Sequence, residues 1–279
     1  PIKISSKQNR SEILNINGTE GSQFISGLLI LSPFLERNTE IRVSNLTSRP
    51  YIDMTIAVLK EFKAEIVNNT DSIFQIRGNQ KLGVNKIGLE GDWSNMAFHF
   101  VGAALSGEVS VSGIQIGSAQ ADKIVIDVLD SFGAITETKS SGEIKVTSAS
   151  KNPFQVDLTD APDLFPVLSV LACGANGESS LKGTHRLINK ESNRLQSICE
   201  MLDVFGVQYQ LEEDTLLIFG RSSVRGGRVK TYNDHRMAMA AICAATISKN
   251  DIIIDNEECI QKSYCNYFIH MNEILKNES

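Results

Sequence analysis

The chain repeats a segment of about 70 residues, and this repeat limits the folds open to it more than any other feature. The pentapeptides FKAEI, FGAIT and FGVQY begin at Phe62, Phe132 and Phe205. Apolar residues at helical spacing precede each pentapeptide, and a turn with an alternating strand follows it. Each repeat unit is therefore interpreted as strand, helix, strand, helix and hairpin.

A second set of elements recurs upstream in every repeat unit. Apolar helices are predicted to start near Ser22, Ser94, Asp163 and Arg236, and the strands that follow them at residues 40–43, 108–111, 178–181 and 251–254. The fourth copy ends after its second helix, at residues 267–275. We therefore predict an α/β (α+β) fold of repeated βαβαββ units rather than a doubly wound sheet.

The segment TYNDHRMAMA, residues 231–240, places charged side chains directly before an apolar run. The run predicts a buried helix whose first turn carries Asp234, His235 and Arg236. Because a helix N-terminus presents free N–H groups and partial positive charge, an arginine there favours a phosphate or carboxylate ligand. Alternatively, Asp234 caps the helix and Arg236 pairs with it on the surface.

Composition narrows the class of protein. With 42% hydrophobic and 22% charged residues, the 279-residue chain can bury one large core or two medium ones. A net charge of -6 argues against a nucleic-acid partner. No apolar run approaches the roughly 20 residues of a membrane span, and no signal peptide is visible. The five cysteines are odd in number and three lie in apolar helical runs, so we expect reduced thiols in a cytoplasmic protein. None has zinc-like spacing, so we expect no metal site.

Cations recur at the strand-to-helix junctions of the later repeat units. Helix capping explains the serines, aspartates and asparagines found there. It does not explain the cations, since positive charge is unfavourable near the N-terminus of a helix. Repeated departure from a local rule indicates an anion site, which would form if the units pack around an axis with these helix ends inward. The cations are Arg186, Lys190, Arg194, Arg236 and Lys262.

Two carboxylates accompany these cations. Within LINKESNRL, Lys190 and Arg194 are predicted to share one helical face, with Glu191 beside them. Asp163 lies at another junction of the same repeat unit. A carboxylate among cations can stay ionised or exchange a proton with a bound substrate, so the set suits acid–base chemistry on a doubly anionic substrate. A salt-bridged helix would account for Glu191 and Arg194 alone.

Several of these motifs resemble one enzyme family. TYNDHRMAM, KESNRL, the aspartate of APDLFP and QKSYCNYF resemble the second domain of the 5-enolpyruvylshikimate-3-phosphate synthase (3-phosphoshikimate 1-carboxyvinyltransferase) family. GSQF at Gly21 and SRPY at Ser48 resemble the contacts that this family makes with shikimate phosphate. The resemblance spans nearly the whole chain. It implies the enolpyruvyl transferase-like, inside-out α/β barrel architecture, with residues 1–86 as the last unit of a first domain and 87–279 as a second domain of three units.

The resemblance also implies a reaction and a set of roles. The enolpyruvyl group of phosphoenolpyruvate passes to the 5-hydroxyl of shikimate 3-phosphate and phosphate is released, with no metal or organic cofactor. Asp163 is implied to be the base on that hydroxyl, and Glu191 the proton donor to the enol carbon. The implied phosphoenolpyruvate ligands are Gln23, Arg194, Arg236 and Lys262. The implied shikimate-phosphate ligands are Ser22, Gln23, Ser48, Tyr51, Arg186 and Lys190.

The chain departs from the family pattern in places. Gly21 replaces the first serine of Ser-Ser-Gln, which removes one hydroxyl contact; the other departures are Ala121, Asn193 and Cys265. The KSxSxR and GNAGTxxR segments of the family do not occur in this sequence. We therefore expect a monomeric fragment that lacks two units of the first domain and is inactive alone. Two alternatives stay open: a UDP-N-acetylglucosamine enolpyruvyl transferase, and a non-catalytic remnant that binds anions.

Overall fold

The computed structural model describes residues 12–84, 86–188 and 190–276. Contacts divide the chain into two compact bodies, residues 1–89 and residues 90–279, called here the N-terminal and C-terminal bodies. The division falls three residues after the boundary predicted from the sequence. Among the described residues, no helix has the length and apolar character needed to span a bilayer.

The N-terminal body contains one complete βαβαββ unit. Its elements are β1 (Ile13–Asn17), α1 (Gln23–Leu31), β2 (Thr39–Ser44), α2 (Arg49–Glu61), β3 (Ile66–Thr70) and β4 (Ile73–Ile76). The sheet order is β1-β2-β4-β3, with β1 parallel to β2 and the other pairs antiparallel. Ile25, Leu29, Ile41, Ile52 and Phe74 are fully buried and form the centre of its core.

The parallel pairing of β1 and β2 decides where the two helices begin. The carboxyl ends of adjacent parallel strands lie at the same edge of a sheet, and α1 and α2 follow those ends. The helices pack side by side, and the hydroxyl oxygens of Ser26 and Thr55 lie 2.8 Å apart. Ser22 and Ser48, the residues before α1 and α2, therefore belong to the same edge of this unit.

The C-terminal body contains three further copies of the pattern. The first copy comprises α3 (Trp93–Leu105), β5 (Glu108–Val111), α4 (Val125–Phe132), β6 (Ile135–Thr138) and β7 (Ile144–Thr147), with sheet order β5-β7-β6. The second comprises β8 (Gln155–Asp157), α5 (Phe165–Gly174), β9 (Asn176–Lys182), α6 (Arg194–Phe205), β10 (Gln208–Glu212) and β11 (Thr215–Arg221). Its sheet order, β10-β11-β9-β8, repeats the topology of the N-terminal body.

The third copy in this body is shorter. It comprises β12 (Gly227–Val229), α7 (His235–Ala245), β13 (Ile252–Ile254) and α8 (Tyr267–Lys276), and its two strands pair in parallel. As predicted, its described part ends on the second helix. The first copy differs from the prediction, because no strand precedes α3 in the described residues after residue 76. The βαβαββ pattern is therefore complete in two of the four units.

The first helices of the three copies form the core of the C-terminal body. Helices α3, α5 and α7 each pack against the other two. All ten residues of α5 are buried, and α3 and α7 are buried on nearly every side. A helix that is apolar all round, as α5 is, must lie inside a core. The core of the C-terminal body brings the N-terminal ends of α3, α5 and α7 together. These helices begin within two residues of the predicted positions.

Candidate active site

Asp163 lies at the centre of a cluster of charges in the C-terminal body. It belongs to a 3-10 helix, Pro162–Leu164, that leads directly into α5. Its Oδ1 lies 2.7 Å from Arg194 Nη1 and 3.4 Å from Lys190 Nζ, and its Oδ2 lies 3.1 Å from Arg236 Nη2. One carboxylate therefore joins cations from three places in the chain: the loop before α6, the first residue of α6 and the first turn of α7.

The charges around Asp163 decide its protonation state. Burial by itself disfavours the ionised carboxyl, but the positive charges of Arg236, Lys190 and Arg194 outweigh it. They hold the pKa of the Asp163 carboxyl well below its ordinary value. Asp163 is therefore a carboxylate at neutral pH, able to accept a proton once a ligand shares these cations.

Arg194 is the most constrained cation of the cluster. Its side chain has no exposed surface, and its three nitrogens each meet a different carboxylate. Nη1 donates to Asp163, Nε donates to Asp234 Oδ2 at 2.9 Å, and Nη2 donates to Glu191. Burial lowers the pKa of this guanidinium, but the charges of Asp234, Asp163 and Glu191 raise it further than burial lowers it. Arg194 thus contacts both predicted catalytic carboxylates.

Asp234 links α6 to α7. Its Oδ1 caps α7 by accepting a hydrogen bond from the backbone N–H of Arg236 at 2.9 Å, and its Oδ2 accepts from Arg194. Capping by Asp234 was one of the two interpretations of this segment. The surface ion pair in that interpretation is wrong, because Asp234 is fully buried and Arg236 pairs with Asp163 instead.

Arg236 extends the cluster to a third repeat unit. Its Nη1 donates to the hydroxyl of Ser94, in the first turn of α3. The cap residue Asp92 holds this turn by accepting a hydrogen bond from the backbone N–H of Ser94 at 2.9 Å. Sequence reasoning marked Ser94 only as a helix start, although the junctions of the other units could have suggested a role.

The prediction that Lys190 and Arg194 share one helical face is wrong. Helix α6 begins at Arg194, and Asn193 is its cap, with its side chain accepting a hydrogen bond from Gln196 N at 3.3 Å. Lys190 and Glu191 therefore lie in the preceding loop. They still reach the cluster, because Lys190 contacts Asp163 and Glu191 contacts Arg194. An asparagine cap stops the helix where periodicity alone would extend it.

Two other predicted cations lie at the edge of this cluster. Arg186 is buried in the 3-10 helix Thr184–Leu187; burial lowers the pKa of its guanidinium, while the charges of Asp160 and Asp163 oppose that shift. Lys262 is exposed, and its Nζ donates to the backbone oxygen of Asn233 at 2.7 Å. Among the described residues, Lys262 makes no ion pair, so it adjoins the start of α7 without joining the carboxylates.

His235 is a further buried group at the start of α7. Neither ring nitrogen has a hydrogen-bond partner among the described residues. Burial lowers the pKa of the imidazole, as does the charge of Arg236, while the charges of Asp234 and Glu191 act in the opposite direction. The ring is therefore neutral at physiological pH.

The predicted residues of the N-terminal body lie at the first turns of its two helices. Ser22 is buried next to α1, and Gln23 is the exposed first residue of that helix. Ser48 is buried before α2 with a left-handed backbone (φ 53°), and its carbonyl accepts a hydrogen bond from Tyr51 N at 3.1 Å. The structure thus places these four residues on one body, and the charged set on the other.

Nothing in the described part of the chain forms a metal centre. No group of three or more histidine, cysteine or acidic side chains there could hold an ion. The five cysteines are all free, and Cys173, Cys243 and Cys259 are buried.

The fold and the cluster define a class of protein. Repeated βαβαββ units of an α/β protein here present an ionised carboxylate, a second carboxylate and several cations around the N-termini of α5, α6 and α7. Such a cluster suits group transfer on an anionic substrate.

Comparison with known proteins identifies the family. Residues 1–271 match the family profile described as EPSP synthase (3-phosphoshikimate 1-carboxyvinyltransferase). The chain is 36% identical over 275 residues to the 3-phosphoshikimate 1-carboxyvinyltransferase of Clostridium acetobutylicum, covering 98% of this chain and 63% of that protein. It is 35% identical to that of Brachyspira hyodysenteriae, covering 98% and 65%. This chain belongs to the EPSP synthase family.

Solved structures give the same fold. An EPSP synthase from Acinetobacter baumannii superimposes with a TM-score of 0.77 at 24% identity, covering 93% of this chain and 62% of that one. At that identity the likeness shows the fold alone, and it confirms the predicted architecture. The chain spans about 63% of the length of the Clostridium acetobutylicum relative that it matches.

Proposed function

We propose that this chain supplies the charged part of the site of a 3-phosphoshikimate 1-carboxyvinyltransferase. The reaction transfers the enolpyruvyl group of phosphoenolpyruvate to the 5-hydroxyl of shikimate 3-phosphate, releases phosphate, and belongs to aromatic amino acid biosynthesis. The observation that carries the proposal is the Asp163 carboxylate, held by Arg194, Lys190 and Arg236 beside Glu191. Family membership names the reaction, and this cluster supports it.

In this proposal the two carboxylates divide the proton transfers. Asp163 accepts the proton of the attacking hydroxyl while Glu191 gives a proton to the enol carbon, which forms a tetrahedral adduct. The C–O bond to phosphate then breaks, a methyl proton returns to Glu191 to restore the double bond, and the proton on Asp163 passes to the departing phosphate. The surrounding cations keep Asp163 ionised, so it is present as a base before substrate arrives. A bound anion then shares those cations, which weakens their hold on Asp163 and makes it a stronger base.

The cations divide between the two substrates. Arg194, Arg236 and Lys262 hold phosphoenolpyruvate, because guanidinium forks bind carboxylate and phosphate oxygens in pairs. Arg186 and Lys190 contact shikimate 3-phosphate from the C-terminal body. From the N-terminal body, the proposed contacts to shikimate phosphate are Ser22, Gln23, Ser48 and Tyr51, with Gln23 also contacting phosphoenolpyruvate.

We also propose that the N-terminal body is the last of three repeat units in a first domain. In the C-terminal body, the first helices of three units bury one another. The corresponding helix α1 and the 3-10 helix Ser32–Phe34 after it leave an apolar stripe exposed. In α1, Phe24 is 68% accessible and Ile30 and Leu31 are each about half accessible; in the 3-10 helix, Phe34 is 59% accessible. Two further helices of the same kind would cover this stripe, and the relatives are long enough to supply them.

The proposed setting is a monomeric, cytoplasmic enzyme that acts on small molecules. The net charge of -6 disfavours a nucleic-acid partner, and free thiols suit a reducing compartment. No cofactor is invoked, because proton transfer and charge stabilisation complete the proposed reaction.

The test is release of phosphate from phosphoenolpyruvate and shikimate 3-phosphate. We expect no sustained turnover from this chain alone, and turnover when the chain is joined to the remaining amino-terminal part of the Clostridium acetobutylicum relative. The joined protein with Asp163→Asn is the matched control. Turnover by the chain alone would contradict the proposed missing units, and a folded joined protein that binds neither substrate would contradict the proposed reaction.

A further inference from the structure

Arg194 offers no free surface to an incoming anion. Its side chain is fully buried, and each of its three nitrogens already donates to a carboxylate. A substrate carboxylate or phosphate can therefore reach this guanidinium only if one of the three carboxylates leaves.

The three carboxylates differ in how firmly they are held. Asp234 has no exposed surface and also caps α7 through Arg236 N. Asp163 is in contact with two further cations, Lys190 and Arg236. Glu191 is 44% exposed, lies in a loop, and has Arg194 as its ion-pair partner among the described residues. Glu191 is the carboxylate that can leave at least cost.

We propose that the Glu191 carboxylate occupies, in the unliganded protein, the position at Arg194 Nη2 that a substrate anion takes. The anion displaces Glu191, and the released carboxylate turns into the solvent to which it is already partly exposed. This inference rests on the proposed function, since it makes arrival of the donor anion the event that frees the Glu191 carboxylate from Arg194.

The charges around Glu191 give the direction of the change. The groups facing this cluster are Arg194 on α6, Lys190 in the same loop, Asp163 before α5, and Asp234, His235 and Arg236 at the start of α7. On exchange, Glu191 loses contact with a cation and gains an anion nearby. The bound anion therefore repels the Glu191 carboxylate and keeps it away from Arg194.

Sulfate is the probe for this exchange, because it is a dianion that does not itself titrate near neutral pH. Calorimetry at neutral pH measures the affinity of the unaltered chain and of each variant for sulfate. We expect the affinity for sulfate to be about two- to fivefold higher in Glu191→Gln than in the unaltered chain, because a competing ion pair is gone. Glu178→Gln, the same charge change on exposed β9, is the matched control.

Each result separates the exchange from the proposed donor site. Equal or weaker sulfate binding by Glu191→Gln than by Glu178→Gln would overturn the exchange. Absence of sulfate binding in every protein, or binding that Arg236→Ala leaves unchanged, would overturn the donor site itself and the exchange with it.

Discussion

The guanidinium of Arg194 donates to the carboxylate of Asp163 at 2.7 Å, although 31 residues separate the two along the chain. Arg194 opens α6 and Asp163 precedes α5, so the pair joins the two helix junctions of one βαβαββ unit. The same guanidinium also holds Asp234 of the next unit. The proposed site is therefore part of the structure that holds the units together, and the following predictions separate its chemical role from its structural one.

Asp163→Asn should lower turnover of the joined protein by roughly 10²- to 10⁴-fold, the usual weight of one acid–base group. It should also lower the free energy of unfolding by about 1–3 kcal/mol, because three cations lose a common charged partner. Steady-state kinetics and urea unfolding of the same preparation measure both effects. Turnover near that of the unaltered enzyme in a folded variant would remove Asp163 from the mechanism.

Arg194→Ala and Arg236→Ala should separate stability from binding. Arg194 is fully buried among three carboxylates, so its loss should cost about 3–5 kcal/mol of stability. Arg236 is partly exposed, so its loss should cost less stability. The same loss should weaken binding of phosphoenolpyruvate by about 1.5–3 kcal/mol and have little effect on the affinity for shikimate 3-phosphate. Thermal unfolding and calorimetry test the pair. Equal losses for both ligands in Arg236→Ala would contradict its assignment.

Gly21→Ser should destabilise the N-terminal body, although it restores the family's usual residue. Gly21 has a φ of 123°, which side-chain-bearing residues rarely adopt, and a Cβ there would lie 2.8 Å from Gln23 Oε1. The expected cost is about 1–3 kcal/mol. Gly27→Ala is the matched control: it adds a methyl group to exposed helix with no atom within 4 Å, and should stabilise by up to about 1 kcal/mol. Chemical unfolding that ranks the two variants in the opposite order would contradict this reading of the backbone.

Buried His99 should make stability fall as the pH is lowered from about 7 to 4. Its Nε2 lies 3.1 Å from the hydroxyl of Tyr264, and burial lowers the pKa of the ring to about 4. The His99 ring binds a proton near pH 6.5 in the unfolded chain, but only near pH 4 in the folded chain. Acid therefore lowers the free energy of unfolding by at most about 3 kcal/mol.

The variant His99→Gln tests this pH dependence. It should flatten the dependence of the free energy of unfolding on pH in that window, while His235, whose pKa burial also lowers, keeps part of the slope. His185→Gln, the same substitution at an exposed position, is the matched control. An unchanged slope in folded His99→Gln would show that the His99 ring does not cause this dependence on pH.

Local pattern was sufficient to predict the repeat and most of its elements. Apolar spacing placed the first helices within two residues, and alternating strands located the hairpins after Phe62, Phe132 and Phe205. These signals are local, because a helix or strand face must repeat at its own period to meet a core. The motifs of the later units also identified the family, which comparison confirmed.

The sequence by itself thus determined the repeat, its elements and the residues that carry charge. Only the tertiary structure decided which of those charges meet. Spacing suggested that Lys190 and Arg194 shared a helix face, but Asn193 caps α6 and both side chains reach Asp163 by another route. The contact of Arg236 with Ser94 spans 142 residues, and no local period encodes it. Packing of α3, α5 and α7 creates that contact, because burial of their apolar faces brings their N-terminal ends together.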